Sequence, residues 1–183
     1  MTFDARAYWT RTVPDFEDMM PFSPITPEHS AQEAALLDVL NGLEFDSALE
    51  VGCGLGRITS ILAGMTDDLS AIDIGSDQVT VTKRRVPAAS ITQMAIQEFE
   101  PNRTWDLVLA SEVLMHIPPD EIEAVCDKLR GLARKWVVTI DWTTPLGHKP
   151  IAEHNWLHDY RALFGSVERV IPTGLQSIFV IRA

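Results

Sequence analysis

Cysteine is scarce: Cys53 and Cys126 are the only two among 183 residues. Two thiols so spaced suggest neither a disulfide framework nor a thiol metal cluster. No apolar run approaches the roughly 20 residues that span a bilayer, so no membrane partner is expected. The start, Met1-Thr2-Phe3-Asp4, lacks the basic region and apolar stretch of a secretion signal, and a cytoplasmic location is expected. Basic residues are few as well, 15 against 26 acidic ones, giving a formal net charge of −11. Such a surface repels phosphate backbones, which argues against a nucleic-acid partner. The densest basic grouping is Lys83-Arg84-Arg85, followed at a distance by Arg130, Arg134 and Lys135. These fall near the ends of predicted helices, where cations complement the helix dipole.

What is present describes a globular chain. Hydrophobic residues make up 46% of it, and the length suits one domain with a real core. Residues 1–27 stand apart as an N-terminal segment. Pro14, Pro21, Pro24 and Pro27 punctuate it among Tyr8, Trp9, Phe16 and Phe22, which predicts a short helix near Asp4–Thr12 and then a loop packed on the domain. Residues 28–183 form a single domain in which predicted helices and strands alternate. Helices are expected to Asn41 from Glu28, over Arg57–Gly64, from Ser76 or Asp77 to Val86, over Asp120–Ala133 and over Ala152–Phe164. Strands are expected over Ser47–Val51, Leu69–Asp73, Ala89–Met94, Trp105–Ala110 and Trp136–Asp141, nearly all apolar. That alternation indicates an α/β fold, a doubly wound and mostly parallel sheet with helices on both faces. Val167–Ile171 and Gln176–Ile181, joined by Pro172-Thr173-Gly174, read instead as a closing β-hairpin.

The central motif is Glu50-Val51-Gly52-Cys53-Gly54-Leu55-Gly56-Arg57, at a strand-to-helix turn. Its glycines let a ligand approach the backbone closely. Arg57 occupies the place of the third glycine of a dinucleotide fingerprint, and no Gly-Lys-Ser/Thr follows to make a phosphate loop. A second apolar strand ends in Asp73, 17 positions beyond Gly56. A carboxylate there can accept both hydroxyls of a ribose; its competing reading is a simple cap.

With these residues in order, the chain resembles the class I S-adenosylmethionine-dependent methyltransferases, with a Rossmann-like fold, over roughly residues 28–183. Ile91-Thr-Gln-Met-Ala-Ile-Gln is similar to their third strand and its loop. Trp105 to Pro118 is similar to their fourth strand and following loop in the small-molecule type, and the terminal hairpin also fits. The resemblance implies S-adenosylmethionine as cofactor, held by Glu50, Gly52, Cys53, Gly54 and Gly56, with Asp73 on the ribose and Ile74, Ala95 and Ile96 edging the adenine. Ser111 and Glu112 would sit beneath the sulfonium. Met94 stands where the family often has an aspartate.

The expected activity is methyl transfer to oxygen or nitrogen of a small organic acceptor, free or carrier- or peptide-bound, by a monomer or homodimer. Catalytic candidates are His116, Glu112 and Asp141. His116 has a reference pKa suited to proton transfer, or else holds its loop; Glu112 is a base or a partner of the sulfonium; Asp141 is a base or a cap. Tyr8, Trp9, Trp142, His148, His154, His158 and Tyr160 are candidates to line the acceptor pocket. His154 and His158 would share a helix face, but no third ligand accompanies them and no metal is expected. Two rivals remain: a non-catalytic module that binds the same cofactor, and a nicotinamide-dependent reductase, which Arg57 and the lack of a Tyr-x-x-x-Lys pair oppose.

Overall fold

A computed structural model describes residues 7–9, 27–143, 155–174 and 176–183, with the side chains of 27–30 left aside. His148 and His154 lie outside the described residues, as does all of the N-terminal segment before Pro27 except the helical residues 7–9.

The elements run α1 (Pro27–Asn41), β1 (Ser47–Val51), α2 (Arg57–Ala63), β2 (Asp68–Asp73), α3 (Ser76–Arg85), β3 (Ser90–Gln93), β4 (Trp105–Ser111), α4 (Ile122–Leu132), β5 (Ala133–Trp142), α5 (Tyr160–Phe164), β6 (Val167–Pro172) and β7 (Gln176–Arg182). Short 3-10 turns occupy Ile96–Glu98 and Leu114–His116. One seven-stranded sheet has the order β3-β2-β1-β4-β5-β7-β6. The first five strands are mutually parallel, and β7 runs antiparallel to both of its neighbours. The sheet is thus the expected one, with its hairpin attached through β7.

Both faces are covered, which is why β1 and all but the last residue of β4 are buried along their whole length. Successive residues of β5 part to opposite sides. Val137 joins Val125, Leu129, Tyr160 and Phe164 under α4 and α5, while Val138 joins Leu36, Leu40 and Leu62 under α1 and α2. Cys126 is wholly buried in α4, and Cys53 is also buried and free.

Two expectations about helices need correction. Arg134 and Lys135 belong to β5 and not to a helix end; both pair with Asp106, at 2.8 and 3.2 Å. Of the described residues in the helix expected over Ala152–Phe164, only Tyr160–Phe164 are helical, and residues 155–159 are irregular. Asp159 caps it, accepting from Ala162 N at 3.1 Å. His158 therefore lies outside the helix. Its ring Nε2 bonds Ile117 O at 2.9 Å instead.

At the edge opposite the site, Asp106 ties β4 to β1 and β5. The Asp46 N–H and then the Arg134 guanidinium hold its carboxyl down at about 2. A depressed carboxylate stabilises the fold above its unfolded value, about 3.9, and that contribution fades as pH falls through the folded value. Asp106→Asn should therefore lower the melting temperature by several degrees at neutral pH, and the gap should close between about pH 4 and 2. Thermal melts across that range check it.

Candidate functional site

Parallel strands present their carboxyl ends along one edge, and there the glycine loop leaves β1. Gly52 N and Cys53 N donate to Ile72 O at 2.8 and 3.0 Å, folding the loop over the tip of β2. Gly52, Gly54 and Gly56 take φ values of 75, 49 and 85°. Two of these glycines differ in what surrounds them. A Cβ on Gly52 would run into the Val113 side chain, so its absence lets the loop after β4 close on the turn. Among the described residues, a Cβ on Gly54 would meet nothing within 4 Å. Gly54 borders open space among them.

Asp73 joins the loop to β2. Its Oδ2 accepts from Gly54 N at 2.8 Å and its Oδ1 from Gly75 N at 2.8 Å. A carboxylate offers about four acceptor sites, so roughly two remain. Burial pushes its carboxyl upward, against the pull of the Gly75 and Gly54 amides. The loop has a third brace: Thr82 Oγ1, buried on α3, donates to Gly54 O at 2.7 Å.

Glu50 lies under the loop, buried, and accepts from Thr59 Oγ1 at 2.5 Å. Burial raises its carboxyl to about 8, with the Thr59 hydrogen bond and the Arg57 charge opposing. Beyond β2, Ile74 is half-buried, and its carbonyl accepts from Gln93 Nε2 at 3.1 Å. Ala95 and Ile96 are buried in the turn after β3, where Met94 N donates to Asp73 O at 2.8 Å. The adenine-side candidates thus sit beside the ribose candidate.

Ser111 ends β4, and Glu112 and His116 follow it. Glu112 has φ 59°, the only non-glycine residue with positive φ among those described. That conformation is strained and collects at functional positions. His116 ends the 3-10 turn, and the Trp9 ring meets it edge-on at 4.8 Å. Gln78 Nε2 donates to Trp9 O at 3.0 Å. Residues 7–9 therefore bridge α3 and the turn after β4, across the carboxyl edge; Tyr8 packs on Trp9 at 5.0 Å.

Asp141 serves its capping reading in part, since Oδ1 accepts from Met115 N at 3.1 Å. It is fully buried, and burial drives its carboxyl well above the ordinary range. Tyr160 is buried against Phe179 at 5.1 Å, and Trp142, half-buried, ends β5. The sequence reading passed over Thr59, Gln78, Thr82 and Val113. Their signals were weak, because a polar or apolar residue mid-helix or after a strand does not announce its partner.

A family model described as a methyltransferase domain matches residues 48–135. Curated relatives include ubiquinone biosynthesis O-methyltransferases. That of Pasteurella multocida is 27% identical over 141 residues, covering 68% of this chain and 55% of its own. That of Colwellia psychrerythraea is 27% identical over 132 residues, covering 66% and 54%. The chain thus spans about half the length of the curated relatives it matches. Among solved structures, magnesium protoporphyrin IX methyltransferase of Synechocystis with bound SAM superposes with a TM-score of 0.74 at 16% identity, covering 100% of this chain and 99% of the other. The N-methyltransferase NodS of Bradyrhizobium japonicum with S-adenosylhomocysteine gives 0.77 at 15% identity, covering 95% and 97%. These likenesses show a shared fold.

Proposed function

We propose that the chain is an S-adenosylmethionine-dependent methyltransferase acting on oxygen or nitrogen of a small organic acceptor, in keeping with the methyltransferase-domain model that matches residues 48–135. The observation that carries the reading is the pairing of open space over Gly54 with the Asp73 carboxylate 2.8 Å from its amide. A nucleoside resting on that turn meets acceptor sites at the height of a ribose. The relatives named for O-methylation and the neighbours holding SAM or S-adenosylhomocysteine support the same conclusion.

The residues fit that cofactor. Asp73 would take the ribose hydroxyls, and Ile74, Ala95 and Ile96 the adenine. Gly52, Cys53, Gly54 and Gly56 would line the sugar and methionine portions, with Glu50 orienting the amino-acid end from below. Ser111 and Glu112 would stand under the sulfur. Bound S-adenosylmethionine supplies an electrophilic methyl group, and positioning the acceptor in line with it accounts for most of the rate. The acceptor atom sheds its proton as it gains the methyl, and Glu112 or His116 would take it. Asp141 positions the turn that carries His116.

Residues 7–9 serve as a cover over this edge, with Trp9 held at both its carbonyl and its ring. Trp142, His158 and Tyr160 would form the acceptor side.

Calorimetry with S-adenosylhomocysteine, followed by transfer of labelled methyl to a metabolite panel, tests the reading. Uptake of a nicotinamide dinucleotide without heat for S-adenosylhomocysteine overturns it. His116→Ala should cut kcat by about 10²–10⁴-fold, the usual share of a proton-transfer group, with cofactor affinity nearly unchanged. Normal turnover would leave His116 a loop-holding residue.

A further inference from the structure

One side chain of α3 is placed in a way that its helix does not explain. Gln78 is buried at the third position of α3, where a glutamine ordinarily reaches back to accept the N–H of the residue before the helix. That residue is Gly75, and its N–H is already given to Asp73 Oδ1 at 2.8 Å. Gln78 Oε1 is buried without a hydrogen-bond partner among the described residues. Helix capping therefore does not account for this side chain. Its amide serves Trp9 instead, whose carbonyl accepts from Nε2 at 3.0 Å. Gly75 shows that the placement is fitted. Its φ of −85° and ψ of 127° suit any residue, so the backbone does not call for glycine. A Cβ there would overlap the Gln78 carboxamide. Glycine leaves the space that the amide fills.

The connection continues beyond Trp9. The Trp9 ring meets the His116 imidazole edge-on at 4.8 Å. Backbone bonds fix the turn that carries His116, whose N–H donates to Val113 O at 2.9 Å while Met115 N donates to Asp141 Oδ1. Those bonds leave the imidazole free to rotate about its own side-chain bonds, and an aromatic edge packed on the ring restrains it. We infer that Gln78 is a positioning residue: seated against Gly75, it fixes Trp9 so that Trp9 sets the orientation of the His116 imidazole. The inference rests on the methyltransferase reading, with His116 as the group that takes the acceptor's proton. Such a group must stay within hydrogen-bond reach of the proton it removes. A misplacement of about 1 Å can cost on the order of 100-fold in rate. Because Gly75 also donates to Asp73, one line of contacts runs from the ribose-side carboxylate through Gly75, Gln78 and Trp9 to His116.

Two variants separate this role from a structural one. Gln78→Met keeps the side-chain length and the helix preference but loses the N–H. Gln78→Glu keeps the shape and turns an oxygen toward the Trp9 carbonyl. The His116 Cε1–H signal in the proton NMR spectrum, identified by its loss in His116→Ala, reports the aromatic ring beside it. Trp9→Leu should move that signal, and both Gln78 variants should move it in the same direction. A signal unmoved in both overturns the inference. In labelled-methyl transfer to the acceptor that a metabolite panel supplies, Gln78→Met should lower kcat about 10- to 100-fold. In a His116→Ala background the same substitution should lower kcat no further, the non-additivity of residues acting as one unit. Equal losses in both backgrounds would make Gln78 a residue of the fold alone and overturn the inference. So would normal kcat in His116→Ala, or methylation of no panel member by a protein that binds S-adenosylhomocysteine. No heat for S-adenosylhomocysteine in the wild-type protein instead removes the methyltransferase reading, and the inference goes with it.

Discussion

Gly54→Val should abolish S-adenosylhomocysteine binding while leaving a folded protein. The two halves of that result have separate causes. No atom of the described residues beyond its chain neighbours lies within 4 Å of a Cβ at this position, so among them the added side chain meets no obstacle and would stand where a ligand rests. The backbone penalty arises from φ 49°, a left-handed value that costs a branched residue about 1–2 kcal/mol. A loss of that size lowers the melting temperature by several degrees without unfolding a domain of this length. Gly52→Ala is the contrasting control. There the new methyl runs into Val113, so the turn and the loop after β4 must separate, and stability falls more steeply. Calorimetry alongside thermal melts distinguishes the pair. A Gly54→Val protein that still binds the cofactor product removes the loop from the site.

Asp73→Ala should weaken cofactor affinity by about 1–3 kcal/mol, roughly fivefold to 150-fold in Kd, because the ribose hydroxyls lose their acceptors. The same carboxylate also accepts the Gly54 and Gly75 amides, so the alanine variant should melt lower as well. Asp73→Asn separates the effects. One amide oxygen can replace one of the two acceptors, but the NH₂ group faces an N–H and repels it. Affinity in Asp73→Asn should fall between wild type and alanine. Unchanged affinity in both variants would mean that Asp73 only braces the loop.

Much of this was legible in the sequence, for reasons that are local. A strand buried on both faces is an apolar run, and β1, β2, β4 and β5 read as such. The loop and Asp73 are legible because glycine spacing and a strand-terminal carboxylate leave a linear pattern. What escaped depends on distant contacts. Ala152–Phe164 carries enough apolar residues to suggest one helix. Yet Trp156 N is drawn to Met115 O and the His158 ring to Ile117 O, and both carbonyls belong to the turn after β4. Those bonds hold 155–159 out of helical form. Thr59 and Thr82 were missed similarly: each is a helical polar residue whose importance lies in the distant atom it reaches, Glu50 Oε2 on β1 or Gly54 O in the loop. Arg134 and Lys135 looked like helix-end cations until β5 proved to begin at Ala133.

The position of β7 between β5 and β6 has a consequence for how the molecule assembles. Strand β6 is made first but touches the sheet only through β7. Until residues 176–182 emerge from the ribosome, β5 carries an open row of amides and carbonyls, and β6 has nothing to dock on. An open edge of that kind invites association with other nascent chains. Joining Trp136 to Arg182 also closes a long span of chain, a slow step in folding. The growing polypeptide is therefore most vulnerable to misassembly in the interval between the synthesis of β5 and that of β7.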